Sequence, residues 1–142
     1  MPDSVPNDDG PGLAGCTVAL VVGPAVVAAQ VLAFTWLTGR PLDLDAEAGV
    51  LLFQAAVVAA PFLLLSLVGT RDKIPWLVAA LLTLGFWGYL LFDGVRYHWT
   101  GDTSGANIGL GLLMLVSPLL ISGAAMGLYA WRRERRRRKS AR

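Results

Sequence analysis

The chain has 142 residues, of which 55% are hydrophobic and only 15% are charged, and its mean hydropathy is +0.57. Soluble globular domains usually carry about 25% charged residues, so the composition excludes an ordinary soluble domain of this size. The net charge of +2 is small, and the single cysteine, Cys16, excludes both an internal disulfide and a metal site built from several cysteines.

The chain begins with a polar lead. Residues 1–12 contain three prolines, three aspartates and no lysine or arginine. Such a segment cannot bury enough apolar surface to fold, so we predict that this N-terminal lead is disordered.

Four apolar runs follow the lead, at residues 13–37, 46–68, 74–92 and 108–131. Each has about the 17–25 residues that an α-helix needs to cross ~30 Å of hydrocarbon. No charged residue lies away from the ends of any run, as expected where a central charge costs about 2.5–3.5 kcal/mol. The links are short, which makes consecutive helices run antiparallel. We therefore predict an all-α membrane protein whose residues 13–131 form an antiparallel bundle of four transmembrane helices.

The distribution of basic residues predicts the orientation of this bundle. Eight of the twelve lysines and arginines follow Trp131, within residues 132–142. If both termini are cytoplasmic, the inner side receives these eight together with Arg71 and Lys73, and the outer side receives only two. The positive-inside rule therefore predicts an N-in/C-in topology. The abundance of Arg, Ala, Gly and Pro favours a bacterial cytoplasmic (inner) membrane.

Four of the five tryptophans lie near the ends of the apolar runs: Trp36, Trp76, Trp99 and Trp131. Amphipathic indole rings are enriched at the headgroup level, so these positions predict two interfacial belts. Trp87 lies near the middle of the third run instead. Because its N–H needs a partner, we predict that Trp87 faces another helix and not lipid.

A polybasic segment follows directly after the fourth run. Near an anionic leaflet each such charge contributes about 1 kcal/mol, so residues 132–142 are predicted to form a cytoplasmic tail that contacts anionic lipid headgroups. The segment gives no specific support for a nucleic-acid partner. The residues predicted to contact lipid are Arg132, Arg133, Arg135, Arg136, Arg137, Arg138 and Lys139.

Small residues recur at four-residue spacing in three of the runs. Gly123 and Gly127 form a GxxxG pattern in the fourth run. Such stripes let helix backbones approach closely in lipid. The pattern is therefore compatible with packing inside the four-helix bundle or with contact between two copies of the chain. The other stripes are Ala25, Ala29 and Ala33 in the first run, and Ala55 and Ala59 in the second.

Three of the runs also contain an interior proline: Pro24, Pro61 and Pro118. Proline removes a helical hydrogen bond and favours a kink, and broken helices can line a transport site. Gln30 and Gln54 are polar groups within the membrane that could hydrogen-bond to each other or to the mid-membrane indole. These features leave a small transporter or channel-like oligomer as one hypothesis. The absence of a carboxylate from the interiors of the runs argues against ion-coupled transport.

The densest polar cluster follows the third run and comprises Asp93, Arg96, Tyr97 and His98, with Asp102 close behind. On a helix Asp93 and Arg96 share a face and could form an ion pair. The favoured interpretation is a solvated helix end on the outer face. A lone histidine with two flexible carboxylates is a weak metal signal, and no nucleophile accompanies it. An outer-face enzyme site near Asp93 and His98 therefore stays an alternative.

The sequence as a whole predicts a non-enzymatic membrane protein that acts through helix packing. It would serve as a subunit, an accessory factor or a homo-oligomer. Its predicted partners are the lipid bilayer and a second copy of the chain or another membrane protein. The pattern predicts no catalytic residue, no cofactor and no metal.

Overall fold

The computed structural model describes residues 11–69, 72–101 and 108–140, which form four α-helices and no strand. The helices are α1 (Pro11–Thr38), α2 (Leu44–Leu67), α3 (Lys73–Thr100) and α4 (Ile108–Ser140). All four are long and apolar enough to cross a membrane, which confirms the four predicted spans.

The boundary between the polar lead and the first helix lies earlier than predicted. Pro11 and Gly12 already belong to α1, because a proline at the first turn loses no helical hydrogen bond. The rest of the predicted lead, residues 1–10, lies outside the described residues. Arg71 and Asp102 also lie outside them.

Short-range hydrogen bonds fix the ends of the helices. At the start of α3 the Asp72 side chain caps the helix by accepting a hydrogen bond from the Ile74 N–H at 3.2 Å. The same helix ends at Gly101, whose φ of 60° lies in the left-handed region, and whose N–H donates to the Tyr97 carbonyl. Glycine adopts this conformation without the steric cost that other residues meet.

Two helices extend well beyond their apolar spans. α3 continues eight residues past residue 92, and α4 continues nine residues past residue 131. At 1.5 Å per residue these extensions are about 12 and 13 Å long. The predicted polar cluster and the predicted basic tail are therefore both carried on helix.

The helices pack so that α1 and α4 each contact both α2 and α3, while the backbones of α1 and α4 come nowhere within 8 Å of each other, Cα to Cα, in the described chain. All four helices contribute to one buried apolar cluster. It comprises Ala19, Phe62, Leu65, Ala79, Ile121 and Ala125.

A second buried cluster confirms the prediction for the mid-membrane tryptophan. The Trp87 side chain is only 3% exposed and packs with Val27 of α1 and Val58 of α2. The neighbouring Phe86 ring lies edge-on to the indole, with ring centroids 6.2 Å apart. Trp87 therefore joins three helices and does not face outward.

The outer surface of the helices is as apolar as their contacts with each other. Large side chains such as Leu20, Leu52, Leu67 and Leu119 are exposed along the spans. A soluble monomer rarely exposes apolar area on this scale, whereas hydrocarbon solvates it readily.

The closest helix contact joins α1 to α2 through glycines. A Cβ atom added at Gly23 would lie 2.5 Å from the Ala55 carbonyl oxygen, and one added at Gly15 would lie 2.7 Å from Ser66 Oγ. Between them Ala19 is fully buried, so small residues at four-residue spacing let the two backbones approach. Beside this contact Cys16 Sγ lies 3.2 Å from Ser66 Oγ.

Ala25 and Ala29 of the α1 stripe do not mediate packing between the described helices, so contact with another chain stays a prediction for them, whereas the stripe of α2 packs against α1. Ala25 and Ala29 are exposed, and at 100° per residue they lie about 160° and 120° around the helix from the buried Gly23. An alanine-rich helix carries stripes of small residues on more than one face, and the position of the neighbouring helix decides which stripe is buried. In α2, Ala55 and Ala59 both pack against Gly23 of α1.

The interior prolines do not interrupt their helices. α1, α2 and α4 continue through Pro24, Pro61 and Pro118. Pro61 is fully buried against its neighbours, whereas Pro24 lies on the exposed face of α1.

Candidate functional site

The polar cluster at the end of α3 lies on the helical extension beyond the apolar span. Asp93 is half-buried, and Arg96, Tyr97 and His98 are exposed. The Thr100 hydroxyl donates to the Arg96 carbonyl at 3.0 Å, which helps to hold the last turn. Three of the four side chains are therefore exposed at the end of the helix, and their solvation on the outer face stays a prediction.

His98 is engaged by aromatic rings. Its imidazole lies edge-on to Phe34 of α1 and to Trp99, with ring centroids 6.3 and 5.5 Å away. Among the described residues no three side chains of the types His, Cys, Asp and Glu come together as a metal site. Asp102, which belongs to the enzyme hypothesis, lies outside the described ranges.

The basic tail is helical, and acidic or aromatic groups contact four of its seven described basic side chains. Arg138 pairs with Glu134 at 3.0 Å, and the Arg135 guanidinium lies 3.8 Å from the centre of the Trp131 ring. The remaining exposed cations without such a contact in the described chain are Arg133, Arg137 and Lys139.

Asp72 connects this tail to the link between α2 and α3. Arg132 Nε donates to Asp72 Oδ2 at 2.8 Å, and Arg136 donates to the same oxygen at 3.3 Å. The Asp72 side chain is 13% exposed, so little water competes for it. Its other carboxylate oxygen accepts from Ile74 at the start of α3. One carboxylate therefore joins α4 to α3.

The electrostatic setting of Asp72 follows from these contacts. The hydrogen bond from Arg132 and that from the Ile74 N–H, together with the charges of Arg132 and Arg136, lower the pKa of Asp72. Partial burial opposes this shift but is the smaller effect. Sequence reasoning missed the interaction, although the predicted topology places the link and the tail on the same side of the membrane.

The two glycines of the fourth helix face away from the other helices. Gly123 and Gly127 are exposed, and a Cβ added at either would meet no atom of the described chain within 4 Å. They therefore do not mediate close packing inside this chain. The alternative, a contact with another chain, stays a prediction.

A cavity of about 270 Å³ opens where α1 ends and α2 begins, with α3 forming its third wall. Val31, Phe34 and Leu90 contribute apolar surface to it. Its polar side chains come from α1, α2 and the connection between them. They are Gln30, Thr35, Arg40, Glu47 and Gln54.

One polar atom of this cavity has no partner. Gln30 Oε1 is buried, yet it accepts no hydrogen bond within the described chain. The predicted bonds from Gln54 or from the mid-membrane indole therefore do not reach this oxygen. The nearby Thr35 hydroxyl instead donates to the Val31 carbonyl of its own helix at 3.0 Å. Buried acceptors are nearly always satisfied by protein, water or ligand.

Sequence reasoning named both glutamines but did not bring them together with Arg40 and Glu47. The spacing of Arg40 and Glu47 across the helix connection gives no periodic signal. Comparison of the chain with protein-family models, with curated proteins and with solved structures finds no match.

Proposed function

We propose that the chain is an antiparallel four-helix protein of the bacterial cytoplasmic membrane, with both termini inside. The basic residues of α4 support this orientation by the positive-inside rule. The ion pairs of Asp72 with Arg132 and Arg136 support the antiparallel arrangement in either orientation, because they require the link between α2 and α3 to lie at the same end as the tail.

The topology is testable with reporters in cells. A fusion after Arg142 should be active in a cytoplasmic reporter and silent in an exported one. An insertion near Asp102 should give the reverse pair of activities, because three spans would precede it. External activity at Arg142 together with cytoplasmic activity at Asp102 would overturn the orientation.

Within the membrane, we propose that the protein acts without catalysis, as a homo-oligomeric subunit that associates through α4. The observation that carries this proposal is the open space above Gly123 and Gly127. With Val116 and Leu120 these glycines follow a spacing of four, three and four residues, so all four share one exposed face. A second helix could approach the α4 backbone closely along this face.

The basic tail sets a condition on such an oligomer. Two parallel copies of α4 would bring their tails together, and like charges repel. Asp72 and Glu134 neutralise part of this charge within each chain. We propose that anionic lipid headgroups compensate the cations that remain exposed, namely Arg133, Arg137 and Lys139.

Replacing Gly127 by leucine is expected to shift the protein from dimer to monomer, because the side chain would keep the two backbones apart. The measurement is energy transfer between labelled copies in vesicles that contain anionic lipid, with at least a tenfold weaker association expected. Gly111→Leu is the control: Gly111 is exposed with open space above it, and it lies about 120–160° from the two glycines around α4. Equal energy transfer in both variants and the wild type, or none in the wild type, would contradict the proposal.

A further inference from the structure

We propose that the cavity between α1, α2 and α3 is a binding site for a small zwitterion of amino-acid size. The site is defined by Gln30 and Gln54 on its inner side and by Arg40 and Glu47, all of which line it. The proposal concerns binding alone and does not depend on association of the chain through α4. The transport hypothesis would require flux in addition.

The buried oxygen of Gln30 requires a donor. Gln30 Oε1 is inaccessible to bulk water and accepts no hydrogen bond from the described residues. Thr83 Oγ1 in α3 and Ser122 Oγ in α4 are buried without a partner in the described chain, as Gln30 Oε1 is. The hydroxyl groups of Thr35 and Thr38 in α1 bond to backbone carbonyls of their own helix. An amide oxygen cannot satisfy itself in this way because it only accepts. An ammonium or another N–H group of a ligand would supply the missing donor once the Gln30 amide turns toward the cavity.

The two charges of the cavity require a ligand of both signs. Arg40 and Glu47 line the same space, yet the described chain contains no ion pair from either side chain. A guanidinium binds a carboxylate through parallel hydrogen bonds, and a carboxylate binds an ammonium group. A zwitterion would pair both groups at once, whereas a ligand with a single charge would leave one of them unpaired.

The size and the walls of the cavity limit the ligand further. A volume of about 270 Å³ lies at the lower end of ligand pockets, which suits a molecule smaller than most drugs. Val31, Phe34 and Leu90 offer apolar surface to a short carbon chain between the two charged ends. These limits fit an aliphatic amino acid better than a nucleotide or a sugar phosphate.

The test uses the purified full chain in lipid nanodiscs and isothermal titration calorimetry. The zwitterionic probes are L-alanine, β-alanine and γ-aminobutyrate, which differ in the separation of their charges. Butyrate and butylamine are matched controls with one charge each, and trimethylglycine keeps both charges but lacks an N–H donor. At least one zwitterion is expected to bind tenfold or more tightly than all three controls.

Variants connect the binding to the cavity. Gln30→Leu removes the unpartnered oxygen and should fold at least as well as the wild type, but its affinity for the best probe should fall at least tenfold. Arg40→Gln and Glu47→Gln are expected to lose affinity to a similar extent. Arg96→Gln and Asp45→Asn are the matched controls, because neither residue lines the cavity, and both should bind as the wild type does.

Three results would overturn the proposal. The first is the absence of binding by any zwitterion to the folded protein. The second is equal affinity for butyrate, butylamine and γ-aminobutyrate. The third is unchanged affinity in Gln30→Leu, Arg40→Gln and Glu47→Gln, which would place the bound molecule elsewhere. Loss of self-association in Gly127→Leu without loss of probe binding would leave the proposal intact, since the two surfaces are separate.

Discussion

Replacing Gly23 by alanine is expected to separate α1 from α2 and to lower the free energy of unfolding by about 1–3 kcal/mol, the usual cost of overpacking a core. The new Cβ would lie 2.5 Å from the Ala55 carbonyl oxygen and 3.2 Å from Ala59 Cβ. Neither atom belongs to a flexible side chain, so the contact can be relieved only by a shift of the helix backbone. Because α1 packs more extensively on α2 than on α3, the shift disturbs its main support.

The midpoint of SDS-induced unfolding in mixed micelles measures this effect. Gly88→Ala is the matched control, because Gly88 lies in α3 with open space above it, and alanine should leave the midpoint unchanged or raise it modestly. Gly15→Ala should fall between the two, since the new Cβ would meet Ser66 Oγ at 2.7 Å, which can rotate away, and Ser66 Cβ at 2.9 Å, which cannot. The order Gly23, Gly15, Gly88 in loss of stability is the expected outcome. An equal midpoint for Gly23→Ala and Gly88→Ala would mean that the α1–α2 contact is looser than described.

Removing the charge of Asp72 is expected to detach the helical tail from the rest of the protein. Asp72→Asn keeps an oxygen that can cap α3 but loses the charge that holds Arg132 and Arg136. Asp72→Ala loses both the cap and the ion pairs, so its stability should fall further. Hydrogen exchange of residues 132–140 should rise in both variants, whereas exchange at the start of α3 should rise mainly in Asp72→Ala.

The same carboxylate predicts how stability depends on pH. The pKa of Asp72 is lowered in the folded protein, so its contribution is present above the ordinary value of 3.8 and is lost as the pH falls through the lowered value. Between pH 7 and pH 5 the contribution should be constant. Below about pH 4 the wild type should lose stability that Asp72→Asn has already lost at neutral pH, so the difference between the two should shrink.

Variants of the arginines provide the controls for Asp72. Arg132→Gln should reproduce most of the effect of Asp72→Asn, and the double variant should be little worse than either single one, because both remove the same ion pair. Arg137→Gln should have no effect on the tail's hydrogen exchange, since Arg137 is exposed and makes none of the ion pairs described above. Additive effects of Asp72→Asn and Arg132→Gln would show that the two side chains act separately.

The four helices could be predicted from sequence because a long charge-free run has few alternatives. A stretch such as residues 13–37 can satisfy its backbone in lipid only as a helix. The burial of Trp87 could be predicted because an indole N–H in the middle of the membrane needs a hydrogen-bond partner, which another helix can offer and lipid cannot. The helical extension of α4 was not predicted, and that of α3 was predicted only as a helix end at the polar cluster, because polar residues are equally compatible with helix and with loop.

The details of packing could not be predicted, since every helix offers several small or polar faces. In α1 the sequence indicated the stripe of Ala25, Ala29 and Ala33, whereas Gly15 and Gly23 make the close contact with α2. The cavity is a similar case: Gln30 and Gln54 are visible in the sequence, but their meeting with Arg40 and Glu47 depends on how three helices converge. Tertiary contacts decide which face of a helix is buried and which side chains meet in a cavity, and these contacts cannot be read from a single sequence.

The separation of the α1 and α4 backbones in the described chain bears on how the protein is made. A nascent chain emerges from its N-terminus onward, so α1, α2 and α3 are available to one another before α4 leaves the ribosome. Because α4 packs on α2 and α3, it can join them without separating α1 from either helix. Arg132 can pair with Asp72 only after α4 has been inserted, so this ion pair joins the last helix to the three that precede it.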